Sequence, residues 1–159
     1  MLNETIAQHP ERRILGFACR TSSSAAGRDI PAHWQRVLAG GLFERLIPMR
    51  GDPAIYAVYC DYETDWRGAC TFVIGMQVAA ESRVPEGLVA VRIPAGRYAN
   101  IALQGNPKDV LWRTWSTIGE TWAHRNERRY AVDYERYLPA ALAGMATRDI
   151  DIELGLGLT

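Results

Sequence analysis

The chain is poor in the residues that cofactor and hydrolytic chemistry usually need. Of 159 residues, three are histidine and three are cysteine. His9, His33, His124, Cys19, Cys60 and Cys70 show no metal-ligand spacing and no C-x-x-C pair, so no metal is expected. The phosphate-cradling loops G-x-x-x-x-G-K-S/T and G-x-G-x-x-G are absent, as is the G-x-S-x-G of serine hydrolases, and no cofactor is expected either. Charge of one sign is not in excess: 18 Lys+Arg balance 18 Asp+Glu. Direct nucleic-acid binding is therefore not expected, because phosphate backbones are held by surplus basic charge. No apolar run approaches the ~18 residues of a membrane span, so no membrane partner is expected. The N-terminus carries Glu4, Glu11, Arg12 and Arg13 with no apolar stretch before them, which argues against a secretory signal. The three scattered cysteines lie in apolar stretches and read as reduced core thiols of a cytoplasmic protein. His33 and His124 read as exposed or helix-end residues.

What is present suits a single packed unit. Hydrophobic residues make up 48% and charged residues 23% of the chain. Residues 13–20 read as a strand. Asp29 then caps a helix with Pro31 in its first turn and an apolar face of Ile30, Trp34, Val37, Leu38, Leu42 and Leu46. Gly40-Gly41 weakens that helix, and Pro48 stops it by Ile47. Strands are expected at 55–62 and 70–78, around a loop containing Asp65 and Gly68. Val84-Pro85-Glu86-Gly87 is a mid-chain turn. Strands at 88–93 and 97–104 follow, then a helix capped by Asn106 and Pro107 with Leu111, Trp115, Ile118 and Trp122 on one face. After a charged connector at 126–129, strands at 130–138 and 148–158 close the chain. The order strand, helix, strand, strand thus occurs twice. Tyr56-Ala57-Val58 before Asp61-Tyr62-Glu63 is echoed by Tyr130-Ala131-Val132 before Asp133-Tyr134-Glu135. Both copies are expected in the strand after each helix.

Aromatic residues with a polar edge dominate: five Trp and seven Tyr against three Phe. Trp34, Trp112, Trp115 and Trp122 lie on the two helices, where core packing is the ordinary reading. Trp66 falls in a loop, as a pocket cover or an exposed ring. Asp133, Glu135 and Tyr137 alternate and would share one strand face, with Tyr134 and Arg136 on the other. Arg136 then cannot neutralise Glu135. If that face is buried, the carboxylate sits among rings without a cation and its pKa rises. A cationic ligand would complete the site, since ring faces also attract cations. If the face is solvated, Glu135 is an ordinary surface residue.

Six short segments resemble the GyrI-like (effector-binding) domain family, in particular its single-domain, integron-associated members. They are Ile30-Pro31-Ala32-His33-Trp34, Tyr59 to Asp65, Phe72-Val73-Ile74-Gly75, Val84 to Gly87, Ile93 to Tyr98 and Tyr134-Glu135-Arg136-Tyr137. The resemblance runs from about residue 10 to 158. It implies an α+β fold of duplicated β-α-β-β halves, with pseudo-two-fold symmetry and a mostly antiparallel sheet backing two helices around a central cleft. It also implies one domain over 1–159, with halves at about 10–80 and 88–158. Multidrug-sensing members take lipophilic, often cationic, aromatic compounds around a glutamate that matches Glu135. Tyr137 matches the tyrosine that follows it, and Tyr98 the tyrosine after the Pro-Ala-Gly turn. The candidate ligand-binding set is Glu135, Tyr137, Tyr98, Trp34, Tyr59 and Trp115. Many members carry a DNA-binding helix-turn-helix in front; this chain starts at its first strand, so direct DNA binding is not expected. Two alternatives remain open. One is a cofactor-free hydrolase of strained, cyclopropane-type electrophiles, with Glu135 as base and Tyr137 as proton donor. The other is a gyrase-interacting inhibitor. A homodimer is compatible with any of these readings.

Overall fold

The computed structural model describes residues 1–138 and 150–159. Arg148 and Asp149, the expected start of the last strand, lie outside them. Eight strands form one sheet: β1 (Glu4–His9), β2 (Arg12–Ser22), β3 (Arg50–Cys60), β4 (Ala69–Val78), β5 (Val89–Ile93), β6 (Gly96–Gly105), β7 (Arg128–Tyr137) and β8 (Ile150–Leu158). The helices are α1 (Ala26–Ala39), α2 (Leu42–Leu46) and α3 (Pro107–Glu120).

The sheet runs β1-β6-β8-β7-β3-β4-β2-β5, and every neighbouring pair is antiparallel. Replacing β1–β4 by β5–β8, and the reverse, turns this order into its own mirror. That is the signature of two similar β-β-α-β-β units joined at the β3–β7 pair with their first strands exchanged: β1 pairs with β6, and β5 with β2. The duplicated α+β fold expected from the sequence is thus present, with a further strand at the start of each β-α-β-β repeat: in the second unit it is the strand expected at 88–93, and in the first it is β1, which was not expected. β1 escaped because it is an edge strand whose residues are exposed or half-buried, leaving no apolar alternation to read.

Both faces of the curled sheet are covered. The helix-bearing face buries Leu15, Phe72, Ile74, Met76 and the β8 stripe Ile150, Ile152, Leu154, Leu156 and Leu158 against Val37, Leu42, Leu46 and Ile118. The opposite face collects Ile14, Tyr56, Val58, Val73, Tyr98 and Tyr134. Local signals explain most boundaries. The Asn106 side chain accepts from the Lys108 N–H at 3.0 Å and Pro107 opens α3. The first helix breaks at Gly40-Gly41, where Gly41 takes the left-handed φ of 65° that glycine tolerates best.

Four expectations are corrected. α1 begins at Ala26 rather than after Asp29; Asp29 sits in its first turn and accepts from the Thr21 hydroxyl at 3.0 Å. Pro31 therefore lies inside the helix, beyond the first turn, where it removes one internal donor. His33 is buried, at 3% exposure, with Nε2 3.0 Å from the Phe17 carbonyl, because it faces β2 rather than solvent. The Asp-Tyr-Glu echo is not positional: Asp133-Tyr134-Glu135 is inside β7, whereas Asp61-Tyr62-Glu63 follows the end of β3 at Cys60.

Candidate functional site

β7 is one of the two strands at the centre of the sheet, and its alternation sets the site. Asp133, Glu135 and Tyr137 project toward the helices, while Tyr134 joins the opposite cluster. Arg136 also lies away from Glu135 and instead pairs with Asp52, Nε to Oδ2 at 3.2 Å. Opposite Glu135 on β3 stands Ala57, whose small side chain leaves space over the sheet.

Three neutral donors converge in that space. Glu135 Oε1 accepts from the Tyr59 hydroxyl at 2.9 Å and from Trp115 Nε1 at 2.8 Å. Its Oε2 accepts from the Tyr137 hydroxyl. Tyr59 comes from β3, Trp115 from α3 and Tyr137 from β7 itself. Trp34 of α1 meets Tyr137 edge to face at 5.3 Å, and Tyr59 lies against Trp115 at 5.1 Å and Phe72 at 5.0 Å. Glu135 is left 3% exposed. Among the described residues no cationic side chain lies within ion-pair distance of it. Burial pushes the Glu135 carboxyl above its ordinary range, with the three hydrogen bonds pulling part of the way back. The Tyr59 and Tyr137 hydroxyls are held well above theirs, first by burial and then by the adjacent carboxylate.

Two residues away, Asp133 lies on the same face in a different setting. Arg128 Nη2 reaches its Oδ2 at 2.7 Å, with side chains 1% and 0% exposed. The Tyr62 hydroxyl donates at 2.6 Å and the Gly157 N–H at 3.0 Å. In a regular strand, residues five apart point to opposite faces. Arg128 and Asp133 meet because the β7–β8 register shifts between them, at a bulge where Tyr130 has φ 50°. Arg128 thus joins β7 and the core, rather than the charged connector expected over 126–129.

The structure brings together five of the six sequence-derived candidates: Glu135, Tyr137, Tyr59, Trp115 and Trp34. Tyr98 is not with them. It points to the opposite face of β6, fully buried against Tyr134 at 6.0 Å, and donates to the Pro94 carbonyl at 2.7 Å. Of the remaining tryptophans, Trp112 is 74% exposed, Trp122 is buried and donates to Glu4 at 2.6 Å, and Trp66 packs on Gly119 of α3. Arg128 and Tyr62 were missed. A short hydrophilic connector gives no sign that its arginine is turned inward.

The GyrI-like small molecule binding domain matches residues 4–154. The chain belongs to this family. YobU of Bacillus subtilis, which carries the name of a transcriptional regulator, is 28% identical over 130 residues, covering 79% of this chain and 81% of YobU. Among solved structures, SAV2435 bound to tetraphenylphosphonium superposes with a TM-score of 0.80 at 13% identity, covering 99% of this chain and 94% of that one. An integron cassette protein from the mobile metagenome of Vibrio cholerae gives a TM-score of 0.64 at 20% identity, covering 98% and 95%. These structures share the GyrI-like fold. No helix of the described residues is long and apolar enough to cross a membrane.

Proposed function

We propose that this GyrI-like chain is a binding protein for lipophilic, cationic aromatic compounds, held over Glu135 by Tyr59, Trp115, Tyr137 and Trp34. A single observation carries the reading: the Glu135 carboxylate is buried among rings with neutral donors and no cation. A ligand that brings a diffuse positive charge supplies what the fold omits, and the aromatic faces favour such a charge further. Glu135 is closed off in this conformation, so entry requires Trp34 or Trp115 to move aside. The one-domain organisation over 1–159, with halves near 10–80 and 88–158, the cytoplasmic location and the likeness to integron-borne relatives belong to the same reading. So does recognition of small molecules rather than of nucleic acid.

Calorimetric titration tests it with tetraphenylphosphonium and tetraphenylborate, which share a shape and differ in charge. The cation binds at micromolar concentration or below and quenches tryptophan fluorescence, and the borate does not bind. Equal binding of the two defeats the proposal. One contact favours a second reading: the Tyr137 hydroxyl held on Glu135 is the donor–base pair that a hydrolase of strained electrophiles would use. In that case Glu135→Gln would keep binding and lose turnover.

A further inference from the structure

The two repeats correspond residue by residue around Glu135. β3 starts at Arg50 and β7 at Arg128. Each then shifts register against its outer neighbour, between Arg50 and Ile55 in one and between Arg128 and Asp133 in the other. Counted from those starts, Tyr56, Ala57 and Tyr59 occupy the places of Tyr134, Glu135 and Tyr137. α1 and α3 are both 14 residues long, and Trp34 and Trp115 are each the ninth residue of their helix. Ala57 and Glu135 are also direct partners in the β3–β7 register, so the pseudo-two-fold axis of the fold passes between them.

The aromatic walls obey this axis. Trp34 meets Tyr137 at 5.3 Å and Trp115 meets Tyr59 at 5.1 Å, both edge to face, and the axis exchanges the two pairs. Each pair supplies one hydroxyl to Glu135, from Tyr59 to Oε1 and from Tyr137 to Oε2. The carboxylate alone is not duplicated. Ala57 stands where a second one would be, so Trp115, bonded to Glu135 at 2.8 Å, has an acceptor that Trp34 lacks at the equivalent place. Two matched Trp–Tyr walls thus flank a single negative charge beside the axis.

Given the cation site proposed above, we infer that its ligand class is the two-armed monocation, one positive charge between two similar aromatic groups. The charge lies against Glu135, and one aromatic group lies on each Trp–Tyr wall. Trp34 and Trp115 part on either side of Glu135 to admit it. A cation that carries the same aromatic surface on one arm reaches one wall only, and the rest of that surface stays in water. A second positive charge would find no carboxylate at Ala57.

Calorimetric titration of the whole chain with two isomers tests this, with tetraphenylphosphonium as the reference cation. Dibenzyldimethylammonium and (4-phenylbenzyl)trimethylammonium share composition, charge and ring number, and differ in having the rings on two arms or on one. The dibenzyl cation binds at least about tenfold more tightly, the scale of one phenyl ring buried rather than left in water. Trp34→Leu and Trp115→Leu each weaken it by at least about threefold, because each removes one wall. Equal or tighter binding of the one-armed isomer would overturn the inference, as would a loss caused by only one of the two substitutions. If tetraphenylphosphonium binds while the isomers do not differ, the inference falls and the cation site stands. If no cation binds, both fall.

Discussion

Asp133 and Glu135 stand two residues apart on one face of β7, and both are buried, yet the fold treats them in opposite ways. Asp133 receives a guanidinium, a tyrosine hydroxyl and a backbone N–H, so its charge is neutralised from within. Glu135 receives two tyrosine hydroxyls and an indole N–H, which satisfy its lone pairs without supplying a counter-charge. A fold able to place Arg128 on Asp133 could have done the same for Glu135. Under the proposed function, the difference separates a carboxylate that holds the structure together from one kept incomplete for a ligand.

The largest expected effect comes from breaking the completed side. Arg128→Met leaves Asp133 buried without its cation and destabilises the protein by about 3–5 kcal/mol in urea unfolding. Adding Asp133→Asn to that variant removes the orphaned charge and recovers more than half of the loss. A loss below about 1 kcal/mol for Arg128→Met would mean that the pair is worth no more than an exposed one.

Smaller effects are expected at Glu135, where neutral donors are removed. Trp115→Phe keeps the ring packing and deletes one hydrogen bond, at a cost of about 1 kcal/mol in the same experiment. It also leaves the Glu135 carboxyl less well solvated and so raises its pKa further. The pH dependence sharpens the contrast. Glu135 has a folded pKa above its ordinary 4.5, so the stability linked to its neutral form is fully present below that value and is lost as pH rises through the folded pKa. Unfolding free energies of wild type and Glu135→Gln therefore diverge as pH rises from about 4 to about 8, in favour of the variant. A constant difference across that range would mean that burial does not perturb Glu135. The smallest effect is expected at Glu63, the echoed glutamate of the first half. It is exposed, beyond the end of β3, and Glu63→Gln should stay within about 0.5 kcal/mol of wild type by thermal melt, with unchanged cation affinity.

The two carboxylates also differ in how much of their setting could be read from the sequence. Alternation along β7 is enough to put Glu135 and Tyr137 on one face and Arg136 on the other, whereas helical spacing gives only that Trp115 lies on the apolar face of α3, and its place beside Glu135 was implied by the family resemblance. Arg128 was beyond such reading, because its pairing with Asp133 depends on a bulge at Tyr130 that reverses the parity of the strand. Tyr98 illustrates a second limit. β6 buries Tyr98, Ala99, Asn100 and Ile101 in succession, so it carries no polar face from which to infer which side chains meet the helices. The duplication was legible from the repeated elements. The exchange of β1 and β5 was not, since β1 is too exposed to show a pattern and pairing partners are set by the whole sheet.

The claim that Glu135 is kept incomplete for a cation is tested most directly by comparing tetraphenylphosphonium affinity in wild type and Glu135→Gln by calorimetry. The substitution preserves shape and removes the charge: the amide oxygen can still accept from Tyr59 and Trp115, while the amide nitrogen donates and requires the Tyr137 hydroxyl to turn and accept. Affinity is expected to fall by about 1.5–3 kcal/mol, or roughly ten- to a hundredfold, while the ligand-free variant melts no lower than wild type. Unchanged affinity in Glu135→Gln would contradict the account and leave Glu135 a structural residue like Asp133.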